Sequence, residues 1–74
     1  MLATQCRAAR GLVDWTQERL ADKSGVSIGA IRNFESGTTT PMRANLAAIR
    51  SALEAAGVDF IDPNGGGPGV RLRE

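Results

Sequence analysis

Few side chains in this chain of 74 residues can do covalent chemistry. Cys6 is its one thiol, and there is no histidine to draw off the proton. A thiolate nucleophile needs such a base or a strongly cationic setting. Cys6 therefore reads as a small buried hydrophobe with no partner for an internal disulfide, and a reducing interior is expected. One cysteine without histidine also lacks the ligand set of a usual zinc site. No pair of carboxylates sits at a convincing cleft, so no enzyme, cofactor or metal is expected. What remains is the chemistry of hydrogen bonds. Arg32 and Asn33 stand side by side. A guanidinium fork can take guanine O6 and N7, and a carboxamide can take adenine N6 and N7. Ile28 offers apolar contact only, for example to a thymine methyl. Thr16, Gln17, Ser27, Thr38, Thr39 and Arg43 carry donors suited to a phosphate oxygen.

The elements that must hold these side chains are short. Residues 2–12 read as a first helix, with Leu2, Cys6, Ala9 and Val13 on one face and Leu12 nearby. Asp14-Trp15-Thr16 is a connector, with Thr16 placed to cap the next helix. Trp15 reads as core packing, with a stacking platform for a base as the alternative. A second helix runs from about Gln17 to Lys23 and a third from about Ile28 to Glu35 or Ser36. Gly25 falls where the chain must reverse, and Ser27 where a hydroxyl can cap the third helix. Ile31 and Phe34 share the face that packs back on Leu20 and Ala21. Two helices so joined make a helix-turn-helix, whose second member lies in the DNA major groove. After a Thr-rich loop, Leu46, Ile49 and Leu53 give a fourth helix, Arg43 to Ala55, its apolar stripe.

Beyond Gly57 the pattern changes. Val58–Ile61 looks like a strand, Val70–Arg73 alternates apolar and charged as a half-buried strand does, and the stretch between them is turn material. An antiparallel pair is the simplest reading and a disordered tail the alternative. A lone hairpin is marginal in water, so the pair must dock on the helices or on a second chain. The net charge of +1 is no nucleic-acid signal, although residues 1–50 hold seven basic side chains against four acidic ones. No apolar run is long enough to span a membrane, and Met1-Leu2-Ala3 lacks the start of a secretory signal. A cytoplasmic protein without membrane contact is expected, on the nucleoid when bound to DNA.

The stretch from about residue 7 to 57 resembles the Cro/Xre-type helix-turn-helix family, which includes the phage lambda-type repressors. The residues that carry the likeness are Trp15-Thr16-Gln17, Leu20-Ala21, Gly25-Val26-Ser27, Ile31, Phe34-Glu35, Gly37 and Pro41, then Leu46, Ile49 and Leu53. The tail, Gly57-Val58-Asp59-Phe60-Ile61 and Asn64 to Arg73, looks like the ending of small stand-alone bacterial members. The resemblance implies a mainly α fold: a four-helix lambda repressor-like domain over residues 1–57, followed by an antiparallel strand pair over 58–74. It also implies that Gln17 contacts a DNA phosphate and that Arg10 and Glu35 form a structural pair. Family members commonly read bases from the positions of Ile28 and Gly29, and both depart from the polar pattern.

Readout then leans on Arg32 and Asn33, each of which is alternatively a phosphate contact or a solvated polar side chain. Thr38, Thr39 and Arg43 are phosphate contacts or plain loop and helix-end residues. The expected function is that of a sequence-specific regulator of transcription on double-stranded DNA, a repressor acting by promoter occupancy. The alternative is a protein-interaction module on the same fold, of antitoxin or antiactivator type, with weak DNA binding. One such unit buries little DNA, so a homodimer is expected. Its interface would use Val58, Phe60, Ile61, Val70 and Leu72, with a further protein partner as an option.

Overall fold

The structure, a computed structural model, describes residues 1–61 and 66–73. The turn read over residues 62–65 and the final Glu74 lie outside the described residues. Four helices lead into a two-stranded antiparallel sheet: α1 (Ala3–Val13), α2 (Gln17–Ser24), α3 (Ile28–Glu35), α4 (Arg43–Ala55), β1 (Val58–Ile61) and β2 (Gly69–Leu72). The strands pair Val58 with Leu72 and Ile61 with Gly69. That register starts β2 one residue earlier than the alternation suggests.

Local chemistry sets most boundaries. Thr16 Oγ1 accepts the Arg19 N–H at 3.0 Å and opens α2. Ser27 Oγ accepts the Ala30 N–H at 3.2 Å and opens α3. Gly25 closes α2 at φ +74°, a left-handed conformation that costs glycine nothing and other residues about 1–2 kcal/mol. Gly25→Ala is expected to lose about that much in urea unfolding. A Cβ there would meet nothing within 4 Å, so the loss is purely conformational. A variant as stable as the parent would show that the turn can be made another way.

The first helix departs from expectation in two respects. It runs Ala3–Val13 rather than 2–12 and is closed by Asp14 at φ +60°. Aspartate is among the few non-glycine residues found in that region. Leu2 precedes the helix as its cap, and Leu2 and Leu12 are both exposed. The inward face is Gln5, Cys6 and Ala9. A 3.6-residue period fits neighbouring stripes almost equally well, and the partners in space decide between them.

The core comprises Cys6, Ala9, Leu20, Val26, Ile31, Phe34, Ile49, Leu53 and Val58. All four helices and β1 contribute to it. Val58 was expected at a dimer contact, but it has no accessible surface and fills this core. Gln5, buried at 7% exposure, holds the hairpin on α1. Its Nε2 donates to the carbonyls of Ile61 at 3.3 Å and Gly69 at 3.1 Å. Its Oε1 accepts the Leu2 N–H at 2.8 Å. Arg73 fastens the other end, its backbone N–H donating to Gly57 O at 2.6 Å and its guanidinium to Asp59 at 2.9 Å. The hairpin is thus docked on the helices of its own chain.

Candidate nucleic-acid interface

The turn at Gly25 and the Ser27 cap fix the direction in which α3 leaves α2. Ile31, Phe34 and Glu35 are buried, which leaves Ser27, Gly29, Arg32 and Asn33 exposed on the opposite side. Among the described residues, the side chains of Arg32 and Asn33 have no hydrogen-bond or ion-pair partner. They lie next to each other and are free to meet a ligand. Ile28, read as a solvent-facing contact, is half-buried, and only part of its side chain can touch a base.

The loop after α3 folds back on the helix. The Asn33 carbonyl accepts the N–H of Thr38 at 2.9 Å, the N–H of Thr39 at 3.3 Å and the Ser36 hydroxyl at 3.1 Å. The backbone N–H groups of Thr38 and Thr39 are therefore spent inside the protein. Their side chains stay exposed, with the Thr38 hydroxyl 2.8 Å from that of Ser36. Arg43, the first residue of α4, is exposed and unpaired among the described residues. Thr16 and Ser27 are exposed as well, with their oxygens engaged as caps.

Behind this surface lies a polar cluster. Arg10 and Glu35 form a two-pronged ion pair, Nη2 to Oε1 at 2.7 Å and Nε to Oε2 at 2.8 Å. The sequence signalled this pair. It did not signal the others that join it. Cys6 Sγ donates to Glu35 Oε2 at 3.1 Å, and Gln17 Nε2 donates to Glu35 Oε1 at 3.0 Å. Arg10 also donates to the Trp15 carbonyl at 2.9 Å, and Arg7 to the Glu35 carbonyl. Glu35, only 3% exposed, thereby ties α1, α2 and α3 together. Trp15 is half-buried and packs against the core, the packing reading of its side chain.

The electrostatics follow. Burial pushes the Glu35 carboxyl up, but hydrogen bonds from Arg10, Cys6 and Gln17 with the Arg10 charge outweigh it and hold it below the usual range. The hydrogen bond to Glu35 holds Arg10 more firmly protonated, against the opposing effect of its own burial. Burial first, then the hydrogen bond to Glu35, pushes the Cys6 thiol from 9.0 up to about 12. The folded protein thus keeps the thiol proton more tightly than the unfolded chain. This contribution is complete below pH 9.0 and lost as pH climbs toward 12. At neutral pH, iodoacetamide is expected to label Cys6 only as fast as the domain opens. Labelling at the rate of an unfolded peptide would show the thiol to be accessible.

The remaining candidates lie on the hairpin, facing other surroundings. Phe60 and Val70 are half-buried against the core, and the Arg50 guanidinium sits 5.0 Å from the Phe60 ring centre. Ile61 at 41% and Leu72 at 48% are exposed. Of the five apolar residues read as a contact, these two present the most surface.

Two short helices, a glycine turn and an outward row of polar side chains on the second define a helix-turn-helix domain. The family model described as helix-turn-helix matches residues 7–59, and the chain belongs to that family, whose domains bind DNA and serve the regulation of transcription. A comparison with curated proteins finds no match. No helix among the described residues is long and apolar enough to cross a membrane.

Proposed function

We propose that the protein is a sequence-specific regulator of transcription of the Cro/Xre type, acting as a repressor by occupying a promoter with α3 in the major groove. The observation that carries this reading is the exposed Arg32–Asn33 pair, unpartnered among the described residues, on a helix capped by Ser27. Arg32 reads guanine and Asn33 adenine, with a small apolar contribution from Ile28. Thr16, Gln17, Ser27, Thr38, Thr39 and Arg43 hold the phosphates on either side through side-chain donors and, at Arg43, charge. With no side chain at Gly29 and half of Ile28 buried, direct readout is short. DNA shape and a second copy of the chain supply the rest of the selectivity. Ile61, Leu72 and the two short strand edges are the surface offered to that second copy. Light scattering that finds only a 7.8 kDa species at tens of micromolar would rule the dimer out.

Binding to fluorescent duplex from the chain's own upstream region is the direct test, beside scrambled duplex at two salt concentrations. A preference of about 10³ or more is expected. Weak binding that is equal on both duplexes and vanishes with salt would reduce the interaction to phosphate attraction. That result would favour a protein partner as the functional target.

A further inference from the structure

Gln17 stands at the head of α2, half-buried, and one N–H of its carboxamide is given to Glu35 Oε1 at 3.0 Å. A carboxamide has two such N–H bonds, so one donor remains on this side chain. The acceptor is itself immobilised. Arg10 grips it at 2.7 and 2.8 Å, and Cys6 at 3.1 Å. Glu35 belongs to α3, the helix that carries Arg32 and Asn33. One carboxylate thereby fixes the leading side chain of α2 against the helix that carries the base-reading pair.

Resting on the DNA-binding reading above, we infer that Glu35 is a positioning residue for DNA: it sets the plane of the Gln17 amide so that the second N–H meets a backbone phosphate once α3 is in the groove. A free glutamine side chain would surrender rotamer freedom on binding. Here the fold has already fixed it. Glu35 itself, buried behind Gln17, touches no nucleic acid.

The test is a double-mutant cycle read as affinity for the upstream duplex. One arm is Gln17→Ala. The other is Arg10→Met with Glu35→Leu, which removes the cluster without stranding a buried charge and so is compatible with folding. Circular dichroism confirms folding of each protein before titration. Gln17→Ala is expected to weaken binding about tenfold. In the apolar-pair protein the same alanine substitution is expected to cost a clearly smaller factor, because the freed glutamine must surrender rotamer freedom before it can donate. Loss of the Arg10 charge affects both rows of the cycle equally and cancels. If Gln17→Ala costs the same factor in both backgrounds, Glu35 does not act through Gln17 and the inference fails alone. If the parent protein does not bind duplex DNA, the inference and the reading beneath it fail together.

A second measurement needs no variant. NMR relaxation of the Gln17 side-chain amide in the free protein is expected to give an order parameter near about 0.85, as for rigid backbone. A value below about 0.6, that of a flexible group, overturns the inference.

Discussion

Glu35→Gln is expected to destabilise the domain by about 3 kcal/mol, the lower end of the usual effect of removing one member of a buried ion pair, because Glu35 is buried while Arg10 keeps 19% of its side chain exposed. The shape of the side chain is unchanged, so packing does not cause the loss. The cause is Arg10, which stays behind with its guanidinium facing a neutral amide. A domain of this length has a total stability of about 4–11 kcal/mol. The substitution therefore takes a large share of it, and the thermal midpoint should fall by about 12–24 °C. Replacing both partners together, as Arg10→Met with Glu35→Leu, leaves no buried charge and is expected to be far milder. Gln17 is half-buried and can turn to solvent, and a thiol is a weak donor, so neither is costly to release. Equal losses in the single and the paired variant would refute the charge argument. Acid reaches the same carboxylate by another route. Because the folded-state value lies below the unfolded one, the stabilisation is complete above the ordinary carboxylate range. It drains away as pH falls through the folded-state value.

Arg32→Ala has the largest effect expected on recognition. If the fork holds a guanine, the variant should lose about 1–3 kcal/mol on its preferred site and become indifferent at one base pair. Affinity for scrambled duplex should hardly move. A phosphate contact at the same residue gives a different signature: uniform weakening on every duplex, and a salt dependence shallower by about one ion. Arg50→Ala is the matching control, because Arg50 is tied to Glu54 at 3.2 Å and lies against Phe60. Its removal should alter stability and leave sequence preference intact.

What could be read in advance was whatever chemistry keeps local. Gly25, Ser27 and Thr16 act on residues three or four positions away, and the ends of α2 and α3 follow from them. The boundaries of α4, Arg43 to Ala55, follow from its alanine-rich stripe. The Arg10–Glu35 pair was legible through family likeness rather than spacing. What stayed hidden was set by distant partners. Cys6 and Gln17 meet Glu35 only because three helices converge on it. Thr38 and Thr39 carry donors in any sequence reading, but only the folded loop shows their N–H groups turned toward the Asn33 carbonyl. Val58 alternates as a strand residue should, and its alternation does not say whether the apolar face covers its own chain or another. Leu2 and Leu12 show the same ambiguity on a helix.

The Gln5 clasp has a consequence for how the protein is made. It joins backbone groups 56 and 64 positions further along, and Val58 plugs the core from the same distant segment. A nascent chain still in the ribosome tunnel at residue 69 can assemble its helices only around an unfilled gap. Its first helix waits with Gln5 open to water, still without the two carbonyls that it later binds. The ribosome adds about 5–20 residues each second, so this interval is brief. During it, however, the helices are held together by fewer contacts than at any later time. The helices thus reach their full set of contacts only once β2 has emerged, so the order of synthesis sets the order in which this fold is completed.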